Sequence, residues 1–489
     1  MSLFGKLKKA GFWQTLEIVS ISIIQMIYMG IMARKLNHED FGIMAIANSI
    51  IIFGNIFAEG GFGSAIVQNR NINIKHINAA YKWSFLLGLL TSIICFFIST
   101  FLAEFFDQRK LIQIIQIISL NFLFLSINGV STGMLQKNYR FKEKFITILF
   151  SIIISYSIGI FLAYKNLGVL SLVYASLIFS FLKSMGFLYF TRFKLIRGFQ
   201  IIEFKELFSF SFGVIILKTI NFLSNNGIIL ILGKIFTVNI LGLFERSNQI
   251  KNIPANYLGN ILDSILYPTL SEIQNEDAKL FIAYKNIIGV IYSIFIPLTI
   301  YLIIYTKEIV LILLGGNWDK TVLPLKIMFI ITPFIAINKI TDSLIRAKGI
   351  IYLNIYRKII YLIILLISVC LGAFYWELVG AAIALTLSGL INLLLTVLII
   401  KKILSCQLIE ITIKPMLPGL KISLFIIVLI LFYNYVVSFL HLGDIIPFIL
   451  FSLINILIFS IIIFKAPFLF GSYINYLINK IKYKGGITN

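Results

Sequence analysis

The chain has 489 residues, of which 59% are hydrophobic and only 13% charged, and its mean hydropathy is +0.98. Soluble domains carry about 25% charged residues, so the composition excludes a cytosolic enzyme, a secreted disulfide scaffold and a disordered chain. It points to a polytopic helical membrane protein. The formal charge of +22, from 42 Lys and Arg against 20 Asp and Glu, fits basic cytoplasmic loops meeting anionic lipid rather than nucleic acid.

In chain order, the sequence opens on MSLFGKLKKAGFW, where Leu3, Phe4 and Leu7 alternate with Lys6, Lys8 and Lys9. Both a short basic helix on the inner membrane surface and an unstructured basic tail fit that pattern. Apolar runs of about twenty residues then predict fourteen spans: 12–34, 42–66, 82–103, 111–135, 145–164, 168–190, 208–233, 240–266, 284–305, 323–345, 355–374, 378–400, 417–440 and 445–464. The second and eighth are the least hydrophobic. With the N-terminus inside, 29 basic residues fall in inner segments and ten in outer segments or span ends. That split predicts an even span count with both termini cytoplasmic.

A weak internal repeat organises the spans. At an offset of 200, Gly42, Asn48 and Ile50 meet Gly242, Asn248 and Ile250; at 212, Gly168 meets Gly380. The fold class expected is therefore an all-α membrane protein with two six-helix lobes, related by a pseudo-two-fold axis along the membrane normal, plus two extra C-terminal helices. The boundaries read as 1–190 for the first lobe, 191–207 for a basic cytoplasmic linker, 208–402 for the second lobe and 403–489 for the extra pair and basic tail. The three cysteines and three histidines are scattered, so no disulfide framework or metal-ligand spacing is evident. No phosphate-binding GxxxxGK[ST] loop occurs, which leaves ATP hydrolysis by that route out.

Charges and amides inside spans carry the functional signal, because each charge at mid-bilayer costs about 3 kcal/mol. Lys218, Asn221 and Asn225 share one face of the seventh span, and Lys339, Asp342 and Arg346 share one face of the tenth. Asn48, Asn55 and Glu59 line the second, while Asn252, Asn256, Asn260 and Asp263 run along the eighth beside Lys251. Glu17 in the first span reads as lying nearer the inner interface. One reading is a hydrated cavity with cations for an anionic substrate. The other is a neutralised cluster at 339–346, a snorkelling Arg346 and interhelical Asn bonds. Lys218 has no acid within a helical turn and is the strongest cavity cation. Glu59, before Gly60, Gly61 and Gly63, reads either as a proton or cation site or as a helix-end residue.

Several segments resemble a known family. KLNHEDFGIMA at 35–45 and EGGFGSAIVQ at 59–68 are similar to the second helix of Wzx-type polysaccharide exporters. LQKNYRFKEK at 135–144, NNGIILILGKIFTVNILGLFERSNQIKNIP at 225–254, YPTLSEIQNE at 267–276 and LLGGNWDKTVLPLKI at 313–327 extend the likeness in family order. The nearest subgroup is that of the colanic-acid and teichuronic-acid exporters, in the multidrug/oligosaccharidyl-lipid/polysaccharide flippase superfamily. The resemblance implies a transporter, not an enzyme, with two six-helix lobes. It implies export of an undecaprenyl-type pyrophosphate-linked oligosaccharide across a bacterial plasma membrane for surface polysaccharide synthesis. Membrane lipids and polysaccharide polymerase machinery are the partners it suggests. Read together, substrate-binding candidates are Lys218, Lys339, Arg346, Lys251, Asn221, Asn225 and Asn55. Coupling-ion candidates are Glu59, Asp263 and Asp342, with H+ or Na+ coupling open and no cofactor or metal expected. A peptidoglycan lipid-precursor flippase, a cation-coupled drug exporter and a membrane polysaccharide polymerase are the competing readings.

Overall fold

A computed structural model gives the structure. It describes the backbone of residues 3–438 except 70, 193–195, 197, 199, 405 and 406, and side chains over that range except 3–8, 256–269, 271–272, 351–352, 408–409, 434 and 436–438. Every regular element among the described residues is helical. The expected last span and basic tail fall outside them. So do the side chains of Asp263, Lys6 and Lys8.

The first elements are α1 (Leu3–Lys35), α2 (His38–Glu59) and α3 (Phe62–Gln68). At the start of α2 the Asp40 carboxylate accepts the Asn37 backbone N–H at 3.1 Å, part of a capping box. The expected single span over 42–66 is in fact broken. Gly60 and Gly61 sit at φ +59° and +72°, a left-handed pair that ends α2 at Glu59 and restarts the chain as α3. Next come α4 (Ile74–Phe105), α5 (Lys110–Ser119), α6 (Asn121–Lys137), α7 (Phe141–Tyr164) and α8 (Val169–Thr191). Asp40 reaches α8 as well, its Oδ1 accepting the Val169 N–H at 2.9 Å, so one acid caps two helices.

After the linker follow α9 (Ile201–Asn225), α10 (Gly227–Ile235), α11 (Val238–Glu272) and α12 (Asp277–Ile304). The expected span 208–233 is interrupted at Asn226, between α9 and α10. α13 (Thr306–Leu313) leads through a 3₁₀ turn into α14 (Val322–Phe329), α15 (Thr332–Ala347), α16 (Ile351–Leu404), α17 (Leu408–Ile411) and α18 (Ile413–Ser438). A helix as long as α16 would extend about 80 Å, against a hydrocarbon core of about 30 Å. It is instead two limbs, broken at Trp376 and at Glu377, whose φ is +44°. The limbs return on each other: the Ser368 and Ser388 hydroxyls bond at 2.6 Å, and Arg357 meets Thr396. They match the expected spans 355–374 and 378–400.

Among the described residues, ten helices are long and apolar enough to cross a membrane with the two limbs of α16 counted together, or eleven when the pair bent by 48° around 330–331 counts as one span. α11, which holds the weakly hydrophobic eighth span of the sequence reading, is described in its side chains only in part, so that span lies largely outside the residues counted. Contacts divide the chain into two compact units, Met1–Glu245 and Arg246–Asn489.

The repeat is visible in the hydrogen bonds of each unit. In the first, the Tyr81 and Ser131 hydroxyls bond at 2.8 Å and Ser184 donates to Asn128 at 3.2 Å. In the second, the Tyr284 and Thr341 hydroxyls bond at 2.8 Å and Thr396 donates to Asn338 at 2.8 Å. The same frame therefore joins α4, α6 and α8 in one unit and α12, α15 and the second limb of α16 in the other. The glycines aligned by the repeat even touch. A Cβ on Gly42 would fall 1.8 Å from the Val238 carbonyl oxygen, and one on Gly242 would fall 2.0 Å from that of His38. This reciprocal contact explains the Asp-Phe-Gly segment. Asp40 caps, Phe41 is 2% exposed in the core, and Gly42 lets two backbones meet.

Candidate functional site

The first unit contains a cavity of about 370 Å³. Charged side chains reach its wall from five helices: Glu17 from α1, Glu59 from α2, Lys144 from α7, Lys183 from α8 and Lys218 from α9. Between them the lining is small or neutral, with Gly61, Gly63 and Ser64 after the α2 break and Gly129, Thr132, Gly133 and Gln136 along α6. The broken helix explains how this forms. A continuous helix would carry Glu59 onward in a spiral of side chains; the left-handed glycines instead leave it as the last residue of α2, lying across Gly129.

Two ion pairs occupy the cavity wall. Lys218 Nζ donates to Glu59 Oε2 at 2.7 Å, and Asn55 Nδ2 donates to Glu59 Oε1 at 3.2 Å. Lys144 Nζ donates to Glu17 Oε1 at 2.8 Å, with both side chains 12% exposed. Three sequence candidates, Lys218, Glu59 and Asn55, thus meet at one point, although 159 residues separate Lys218 from Glu59. The acid that Lys218 lacks along its own helix is supplied by α2. Asn225 donates to the Asn221 carbonyl at 2.9 Å on the same helix, and both side chains are exposed.

Sequence reasoning missed three cavity residues. Lys144 and Lys183 were counted among inner-segment charges, and Glu17 was placed toward the interface. Lys183 lies seven residues inside the inner end of the predicted span 168–190, which was the available signal.

The second unit handles its candidates differently. Asp342 accepts Arg357 Nη2 at 2.6 Å, Asn354 Nδ2 at 3.1 Å and Lys358 Nζ at 3.2 Å. Its neutralising cations include two from α16, where the sequence reading looked only along its own helix to Lys339 and Arg346. Arg346 is exposed and donates to Ser343 at 3.1 Å, while Lys339 is half-buried. Lys251 is 4% exposed and donates to Asn248 at 2.8 Å. Among the described residues no group of His, Cys, Asp and Glu has the geometry to hold a metal ion.

Comparison with known proteins agrees with this architecture. The polysaccharide biosynthesis protein family matches residues 31–323. A membrane protein of the cps region of Klebsiella pneumoniae is 24% identical over 401 residues, covering 81% of this chain and 82% of its own. The lipopolysaccharide biosynthesis protein WzxC of Escherichia coli is 19% identical over 405 residues, covering 82% of both chains. Among solved structures, the lipid II flippase MurJ in an inward closed conformation superposes with a TM-score of 0.68 at 16% identity, over 92% of this chain and 99% of that one. With more than half its length matched by the family, and with an all-helical fold shared with the MurJ structure, this multi-pass membrane chain belongs to the polysaccharide biosynthesis protein family.

Proposed function

We propose that the protein is a flippase that carries a polyprenyl-pyrophosphate-linked oligosaccharide from the cytoplasmic to the outer leaflet of a bacterial inner membrane. The cargo would be a repeat unit for surface polysaccharide. The observation that carries this reading is the cavity among membrane helices with three lysines against two glutamates. An excess of positive charge inside a low-dielectric wall attracts an anionic linkage and disfavours the organic cations that a drug exporter takes. The glycine, serine, threonine and glutamine lining leaves room and hydrogen bonds for a polar head group. Family membership and the names of the relatives favour a polysaccharide precursor over other anionic lipids.

With both termini cytoplasmic, as the lysine and arginine distribution suggests, the residues around the cavity lie toward the inner leaflet. Lys144 begins α7 and Glu17 lies in the first half of α1. That is the side on which a cytoplasmic precursor is loaded. Alternation between two lobes then delivers it outside. No catalytic step is invoked, and the prenyl chain remains in lipid throughout. Coupling to H+ or Na+ would run through Glu59, which shares its carboxylate between Asn55 and Lys218, rather than through Asp342, already bound by two cations.

Deletion of the gene in its own host tests the reading. The lipid-linked oligosaccharide pool is measured together with the leaflet that exposes its sugars. Cytoplasmic-side accumulation with loss of one surface polysaccharide is expected. Unpolymerised units reaching the outer leaflet would instead place the defect after translocation and overturn it.

A further inference from the structure

The pairing inside the cavity singles out one lysine. Glu17 holds Lys144 and Glu59 holds Lys218. Lys183 lines the same cavity and makes no hydrogen bond or ion pair with a described residue. Its neighbours are aromatic: Nζ lies 5.7 Å from the Phe179 ring centroid and 5.5 Å from that of Phe187. A cation–π contact contributes about 0.5–2 kcal/mol. A lone charge within the hydrocarbon costs about 3 kcal/mol or more, so the rings alone do not hold an ammonium there. Glu59 and Glu17 act on Lys183 through space and Lys144 opposes them, but each glutamate is already committed to another lysine. What remains to complete Lys183 is an anion or water in the cavity.

We propose that Lys183 is the seat of a phosphate-class anion in the first unit, in place of the Lys218 that the sequence suggests. The two ion pairs stay closed around it. Their role is electrostatic: each lysine cancels a carboxylate that would repel the anion, so the field at the seat is that of Lys183 alone. Ser64, Thr132 and Gln136 supply hydroxyl and amide donors on the same lining, and Gly129 and Gly133 keep the α6 wall free of side chains. This deepens the flippase reading and rests on it for the cargo. The pyrophosphate of a lipid-linked sugar and the phosphodiester of a lipid head group share the required chemistry.

The full chain, reconstituted in phosphatidylcholine nanodiscs, is titrated with farnesyl pyrophosphate. K183Q is expected to weaken binding about tenfold, the worth of one charge-assisted hydrogen bond, and K183R to restore most of it. Because the charge is unpaired in the empty cavity, K183M is expected to melt no lower than wild type and to lose the ligand-induced rise in melting temperature. A K183M protein that melts lower, or a K183Q protein that binds as wild type does, overturns the assignment. Displacement by inorganic pyrophosphate but not by phosphatidylglycerol supports the seat and assigns it to the pyrophosphate linkage. Displacement by phosphatidylglycerol supports it as a head-group site. Failure of wild type to bind any of the three anions overturns the seat, whereas the leaflet assay after gene deletion judges the flippase reading separately.

Discussion

The two units repeat one hydrogen-bonded frame but place charge in it differently. Asn128 and Ser131 on α6 correspond to Asn338 and Thr341 on α15, each held by the equivalent partner. That register sets Gly129, Thr132 and Gln136, all on the cavity lining of the first unit, opposite Lys339, Asp342 and Arg346 in the repeat. In the first unit the central helix is nearly bare and the charges arrive from five helices around it. In the second, the central helix itself carries them, and Asp342 is clamped by the neighbouring Arg357 and Lys358. A duplicated frame thus fixes where polar groups can stand without fixing which groups stand there. The open arrangement suits cargo, and the clamped one suits structure.

The clamp gives the largest expected effect. Arg357 is 3% exposed, so Asp342→Asn leaves a buried guanidinium facing a neutral amide beside Lys358. Removing one partner of a buried pair costs about 3–5 kcal/mol, and the partial exposure of Asp342 places this case near the lower end. A fall in melting temperature and in folded yield is expected. A D342N protein as stable as wild type would show that the second unit is not clamped, and the contrast would fail. The frame itself is tested by Tyr81→Phe and Tyr284→Phe, each losing a buried hydroxyl–hydroxyl bond worth about 1 kcal/mol, with Tyr81 also losing a longer contact to Thr191 at 3.3 Å. If the two are equivalents, Tyr81→Phe loses as much as Tyr284→Phe or slightly more, and the losses add in the double variant. A larger loss at Tyr284 would mean that the shared geometry hides different loads.

Much of this was legible in the sequence, and the rest failed for definite reasons. The helical class, the two limbs of α16 and the repeat could be read because apolar length and a few aligned glycines carry them. The break after Glu59 announced itself as a glycine cluster, though a window over hydropathy ran straight through it. The Asp40 contacts were visible only in part: its capping box is local, but its second bond, to Val169, spans 129 residues. The same limit governed the site. A single helix face shows that Lys218 is unaccompanied on α9, and nothing along that helix announces that α2 brings Glu59 to it. Lys144 and Lys183 sit close enough to basic loops that the positive-inside count absorbed them. For Asp342, helical spacing favoured neighbours on α15, whereas the cations that reach its carboxylate at bonding distance include two from α16.

The smallest effect on stability, and the most informative on transport, comes from the Glu59–Lys218 pair. Its side chains are 20% and 38% exposed, so breaking it costs about 1 kcal/mol or less, and protein levels should hold. Its effect on the cavity is larger, because each single change moves the net charge in an opposite direction. Lys218→Gln removes the excess positive charge and leaves Glu59 facing the cargo; export of surface polysaccharide, normalised to protein level, should fall about tenfold or more. Glu59→Gln raises the positive charge, so cargo should bind and leave slowly, giving a milder fall. The double variant restores the wild-type balance with the pair gone. If net cavity charge governs transport, it should export better than Lys218→Gln alone. If it is as poor as that single variant, the bond between α2 and α9 is itself required. The first unit would then be as structurally committed as the second, and the difference between an open and a clamped half would disappear.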